Sequence, residues 1–341
     1  MKKALFLFAM MVFCVFFTLN SVYAQRGTAQ SEVVTIRLAS SLPRNSDWGR
    51  ALDRLAADWG KATNNQVRAI VNHDGREGTE GDMLRKLNSN AVQVALFTSA
   101  GVSEICPAVM SLSVPFMIRD NAELDEVLKN VQPLLESRVK SEFVILAWSK
   151  GGWVYVFSKE KVLIPDDLRR QKLGTSPELG NMNTVFRTMG FQLVEADIIN
   201  IGTRLASNMI NAIYMIPAAI APMQMHRSLN HMLDLPIAPI MGALVINRVT
   251  WNKLSPAHQK EILNITRKTA LDFDVSMART ETNAISSMGR DGLHVNKPSN
   301  EQRNIWQSDL DKSLPSLIGP IFDRELYNKI DEILVKTRSG R

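Results

Sequence analysis

The chain has 341 residues, of which 45% are hydrophobic and 22% charged, enough apolar material to bury a large core in about two domains. Its formal charge of +6 is mild for the length, and its lysines and arginines are scattered among acids, which argues against a nucleic-acid surface. With two cysteines, Cys14 and Cys106, and the first inside an N-terminal apolar run, no disulfide framework is expected.

Residues 1–24 read as a secretory signal peptide. Lys2 and Lys3 form the basic start, Ala4 to Leu19 the apolar core, and Val22-Tyr23-Ala24 a small-residue cleavage site. An uncleaved anchor is the competing reading, since the apolar run nearly reaches membrane-spanning length. Export to the periplasm is the expectation, and cleavage takes the formal charge from +6 to +4 because two lysines and no acid leave.

A polar linker (25–32) precedes a strand with Val34, Ile36 and Leu38 alternating. A helix capped by Ser46 follows, with Trp48, Ala51, Leu52, Leu55, Ala56 and Trp59 at helical spacing. QVRAIV (66–71) is a second strand. The glycine-rich stretch 75–81 lacks a following GK[ST] and contains Glu77 and Glu80, so it reads as a turn into a helix rather than a phosphate cradle. VQVALF (92–97) is a buried strand ending in the polar loop Thr98-Ser99-Ala100-Gly101. Val114-Pro115-Phe116 and an amphipathic helix from about 122 to 139 come next. EFVILAW (142–148) and WVYVFSK (153–159) read as two strands joined by Gly151-Gly152, a junction suited to a chain crossing between domains.

Residues 168–217 repeat a strand-helix unit. KLGTS begins a strand, and Leu179, Met182, Phe186 and Met189 mark a helix that Gly190 ends. FQLVEAD alternates as a strand, Ile201-Leu205-Met209 stripes a second helix, and NAIYMIP returns as a buried strand. Such alternation predicts an α/β fold with a mostly parallel sheet and binding crevices at the strands' carboxyl ends. Gly242 to Asn247 is a further strand. Ser255 and Pro256 then open a helix free of Gly and Pro from Ala257 to Met288, roughly 48 Å at 1.5 Å per residue. Ser299-x-x-Gln302 is a capping box for a helix with Trp306, Leu310 and Leu314, and Phe322, Leu326, Ile330 and Ile333 stripe the last helix.

No catalytic constellation assembles. His73, His226, His231, His258 and His294 form no HExxH and read mostly as surface or cap residues. Cys106 has no nearby histidine, there is no GxSxG, and Asp166-Asp167 reads as a helix cap. Metal-ligand spacing is missing too, so the expectation is a non-enzyme with no cofactor and no metal.

Three segments carry a resemblance: Gln171 to Pro177, Met189-Gly190-Phe191, and Leu205 to Pro217. They resemble the GxKIRxP, hxxxGhxxhxh and LxxGhhDAhYxxP patterns of the periplasmic solute-binding proteins of TRAP transporters, and the order of elements resembles that family along nearly the whole mature chain. The resemblance implies a periplasmic-binding-protein-like fold of two α/β domains around a cleft, bridged by one long helix. It divides the chain into 33–151 plus 240–280, and 152–239 plus 281–341. It implies hinge closure on a small-molecule ligand and delivery to TRAP membrane permease subunits, with an auxiliary periplasmic protein as a further partner and no nucleic acid. A ligand sensor without a transport role is the alternative.

The departures bear on the ligand. The family's two carboxylate-binding arginines fall at Gly174 and near Trp153 here, and the Gly and Asp of LxxGhhD are Asn208 and Asn211. Either Arg169, Arg170 or Lys172 substitutes through a shifted register, giving an ordinary organic-acid binder, or the ligand is apolar, amphipathic or uncharged. For the latter, Trp153, Ile198, Tyr214 and Met215 would line the cleft with Trp48 opposite, and Ser41, Thr98, Ser99 and Ser176 would supply hydrogen bonds.

Overall fold

The computed structural model describes residues 33–196 and 200–340. The expected signal peptide and Ile198 lie outside the described residues.

In chain order the elements are β1 (Val34–Ala39), α1 (Asp47–Ala62), β2 (Val67–Asn72), α2 (Glu80–Asn88), β3 (Val94–Phe97), α3 (Ser99–Ile105), α4 (Asn121–Ser137) and β4 (Phe143–Ser158). Then follow α5 (Pro165–Arg169), β5 (Leu173–Thr175), α6 (Gly180–Thr188), β6 (Leu193–Glu195), α7 (Ile201–Ala206), β7 (Ala212–Met215), α8 (Pro217–Ile220), β8 (His231–Leu233) and β9 (Ala238–Asn247). Last come α9 (Arg248–Trp251), α10 (Pro256–Arg290), β10 (His294–Asn296), α11 (Asn300–Leu317) and α12 (Arg324–Ser339). Strand order is β2-β1-β3-β9-β4-β7-β5-β6, with β8 joining β4 to β10.

The sheet is mixed rather than mostly parallel. Parallel pairs form within each half (β1 with β2 and β3; β5 with β6 and β7), while β9 runs antiparallel to β3 and β4, and β4 antiparallel to β7. The cause lies in β4 and β9. The two strands expected on either side of Gly151-Gly152 are one continuous 16-residue strand, which traverses both halves beside β9.

The helix signals translate closely. Ser255 caps α10 with Pro256 in its first turn, and the helix runs 35 residues, roughly 52 Å. It packs on α1, β4 and α8. Trp59 of α1 is fully buried and donates its indole N–H to Thr266 Oγ1 of α10 at 3.1 Å, so the large ring is buried without stranding its polar atom. Ser299 and Gln302 form the expected capping box, and Gly190 ends α6 at φ +82°. The glycine-rich stretch is a turn whose Thr79 caps α2. The stripe through α7 stops short, however: Ile201 and Leu205 are buried but Met209 lies beyond the helix and is exposed. The final helix, α12, packs on α4, with Arg338 on Glu123 and on the Met117 carbonyl.

Candidate functional site

The passage of β4 between the halves is where the geometry is most specialised. Its register against β9 shifts between Lys150 and Trp153, leaving Gly151-Gly152 as a bulge. Gly152 has φ +99°, and a Cβ there would stand 3.0 Å from a Glu281 carboxylate oxygen. A bulge strips backbone N–H groups of ladder partners, and a buried N–H must find another acceptor. Helix α10 supplies two. Asp274 accepts from the Lys150 N–H at 2.8 Å and the Ser149 hydroxyl at 3.0 Å. Glu281, two turns further on and therefore on the same helix face, accepts from the Trp153 N–H at 2.9 Å and the Tyr155 hydroxyl at 3.3 Å. Burial pushes both carboxyl groups above the usual range, and burial beside Glu281 raises the Tyr155 hydroxyl as well.

Trp153, at the end of that bulge, is buried, and its indole N–H donates to Asn121 Oδ1 at 3.0 Å. Trp48 is half-buried, with its ring centroid 3.5 Å from that of Phe273. With Ala51, Met277 and Ala218 this pair makes a small apolar cluster joining α1, α10 and α8, so the two halves touch there.

The remaining candidates fall into two groups. On the first, Thr98 and Ser99 lie at the end of β3 and the start of α3, and exposed Ser41 follows β1. Glu80 accepts from the Thr98 N–H at 2.9 Å, the Thr98 hydroxyl at 3.2 Å and the Gly101 N–H at 2.7 Å. Ser99 bridges to β9, donating to the Met241 carbonyl and accepting from its N–H, each at 2.9 Å. In the second group Ser176 caps the turn at Pro177–Leu179. Tyr214 is buried against Phe186, with its hydroxyl 2.9 Å from Thr175 Oγ1 and 3.1 Å from Asn183 Oδ1, and burial raises it to about 12. Met215 is half-buried and pairs with Tyr155. Burial raises the Glu80 carboxyl, and the charge of Glu178, two residues beyond Ser176, adds to the rise.

No guanidinium stands at either expected position. At Gly174 a Cβ would meet Ile210 Cδ1 at 2.7 Å and Ile213 Cγ2 at 3.3 Å, so a side chain there would have to displace the end of Ile210. The cations that would serve in a shifted register are engaged at the opposite end of β5. Arg169 pairs with Asp309 and Asp166 and donates to the Met189 carbonyl, Arg170 pairs with Asp167, and Lys172 reaches the Asn208 carbonyl at 3.4 Å. Asn208 itself has φ +54°, a left-handed conformation that asparagine tolerates better than most residues, which accounts for its standing where the family pattern has glycine. Asn211 accepts from the Lys172 N–H at 2.6 Å.

None of Glu80, Asp274 and Glu281 is a site candidate in the sequence reading, although the spacing of Asp274 and Glu281 on an otherwise amphipathic helix is a visible signal. His73 and His226 are buried, while His231, His258 and His294 are partly or fully exposed, in keeping with histidines that lie mostly at the surface. His73 bonds to Asp53 at 2.9 Å. Cys106 is buried and its thiol is pushed up to about 11 by that burial. Asp167 accepts from the Leu163 and Ile164 N–H groups, as a helix cap does. Among the described residues no three His, Cys, Asp or Glu side chains are grouped to hold a metal, and no helix is long and apolar enough to cross a membrane.

Compared with known proteins, residues 38–318 match the family model DctP, described as bacterial extracellular solute-binding protein, family 7. A solute-binding protein of Verminephrobacter eiseniae is 24% identical over 271 residues, 76% of this chain and 78% of the relative. Among solved structures, a TRAP periplasmic solute-binding protein from Roseobacter denitrificans with bound β-D-glucuronate superposes with TM-score 0.79. It is 16% identical, with 87% of this chain and 99% of that chain covered. One from Sulfurospirillum deleyianum with bound succinate gives 0.77 at 17% identity, with 89% and 99% covered.

Proposed function

The chain belongs to the bacterial extracellular solute-binding proteins of family 7, and from that membership we propose that it captures a small apolar, amphipathic or neutral ligand between its halves and delivers it to a membrane permease. It acts as a binder without covalent chemistry. Closure bends β4 and β9 at the Gly151-Gly152 bulge while α10 holds the bulge from behind.

The observation that supports the ligand class is the state of Trp153. The glucuronate and succinate of the structural neighbours both bear carboxylates. Where the resemblance places a carboxylate-binding arginine, this chain has a buried indole already bonded to Asn121, and the other arginine position is a glycine hemmed in by Ile210 and Ile213. Arg169 and Arg170 are spent in ion pairs at the far end of β5, which weighs against the shifted register.

A thermal-shift screen of the exported protein tests this. A ligand that binds only the folded state stabilises it by about 2.7 kcal/mol at a hundredfold excess over Kd. Neutral branched aliphatic compounds should raise Tm, and Trp153→Arg should abolish the rise. A shift produced by hexuronates or succinate in the parent protein, with none from the neutral aliphatic compounds, would overturn the ligand class.

A further inference from the structure

Away from the crossing, a cavity of about 320 Å³ opens at the seam where the segment after residue 114, the turn before β9 and the first two turns of α11 meet. Its floor is apolar, with Phe116 and Leu235 both buried. Its polar side is one face of a single helix: Asn300, Arg303 and Asn304 recur at three- and four-residue steps. Arg119 closes the rim from the other side.

Two features set this cavity apart from an incidental surface hollow. First, neither the Arg119 nor the Arg303 guanidinium has a hydrogen bond or ion pair among the described residues, whereas Arg169, Arg170, Arg187 and Arg338 all do. Asp120 beside Arg119 accepts from the Glu123 N–H as the cap of α4, and Glu123 is bonded to Arg338 and to the Arg119 backbone N–H, so it feels the Arg119 charge without a direct ion pair. Two like charges facing one cavity repel each other and gain from a shared counter-ion. Second, the floor is held in place against strain. Phe116 sits at φ +60°, unusual for a bulky residue, and is fixed by its N–H donating to the Ile237 carbonyl at 2.6 Å and by its ring 5.4 Å from that of Trp306.

We infer that this seam cavity is a binding site for a small carboxylate with an apolar stem, the carboxylate held between Arg119 and Arg303 and the stem lying on Phe116 and Leu235. A planar guanidinium offers paired donors to a carboxylate, and the Asn300 and Asn304 amides at the start of α11 add donors where the helix end favours negative charge. Phosphate would meet the same charges and gain nothing from the floor, so the apolar stem is what selects. The site goes beyond the cleft reading and does not depend on it. It touches segments of both halves, so a bound carboxylate bridges them.

The test is calorimetric titration of the exported protein with hexanoate, and with 1-hexanol and inorganic phosphate as probes lacking one of the two features. Hexanoate should bind at one site, with hexanol and phosphate each at least tenfold weaker. Arg119→Gln and Arg303→Gln should each weaken hexanoate at least tenfold while leaving Tm unchanged, since neither side chain is bonded in the fold. Trp153→Arg should leave hexanoate affinity at this site intact, which separates it from the cleft. Phosphate binding as tightly as hexanoate would overturn the proposal, as would hexanoate affinity unaffected by either glutamine variant or lost in Trp153→Arg alone.

Discussion

Glu281 accepts the backbone N–H of Trp153 at 2.9 Å although the two residues lie 128 positions apart in the chain. Removing that acceptor leaves a buried N–H and the Tyr155 hydroxyl unpaired. Glu281→Ala should therefore cost about 1–3 kcal/mol, and Glu281→Gln, which keeps one acceptor, should cost less. Denaturant unfolding of the two variants against the parent measures both.

The same residue predicts a pH dependence. Burial raises the Glu281 carboxyl in the folded state, so the native protein holds this proton more tightly than the unfolded chain. Its contribution is fully present below the ordinary glutamate range and is lost as pH rises through the raised value. The stability gap between parent and Glu281→Gln should thus be largest in acid and narrow toward neutral pH. A gap that widens on going from pH 4 to pH 8 contradicts the assignment.

Gly152→Ala should destabilise by about 1–2 kcal/mol, because φ +99° is costly for any side chain and the new Cβ would press on the Glu281 carboxylate at 3.0 Å. Gly180→Ala, at a helical glycine with open space around its Cβ, is the control and should be neutral or slightly stabilising. Thermal unfolding distinguishes them.

Gly174→Arg asks whether the missing arginine can be put back. With Ile210 Cδ1 2.7 Å from the first carbon of the side chain, the variant should lose about 3 kcal/mol or more and gain no affinity for succinate. A folded variant that binds succinate in a titration would show that β5 yields more than its packing implies.

Cys106 should resist alkylation in the folded protein at pH 8. Its thiol is buried and raised to about 11, so it offers little of the reactive thiolate. Mass analysis of the peptide containing Cys106 after iodoacetamide, with and without denaturant, should show modification only in the denatured sample.

The helices were the most legible part of the chain because their signals are local. Ser255, Pro256, Ser299, Gln302 and Gly190 act within one turn of themselves, and the structure places them as caps and stops. What periodicity could not reveal was pairing. β4 reads as two strands because two glycines interrupt the pattern, and only its neighbour β9 and the acids of α10, far along the chain, hold it as one. The candidate site divides the same way. Trp153 is singled out by the family register, but its engagement with Asn121 and Glu281 is a tertiary fact. Asp274 belongs to no motif in the sequence and is the partner of Lys150. Arg119 and Arg303 are unremarkable in sequence and come to line one cavity only in the fold.

The position of β9 has a consequence for how the molecule is made. It lies between β3 and β4 in the sheet, yet it follows β7 and β8 in the chain. A nascent polypeptide that has delivered everything through β8 still has a gap where β3 and β4 should meet, and α10 must follow to occupy the bulge. The central pairing of the sheet therefore has to wait for the last third of the chain. Chain order, in this protein, acts as a timer.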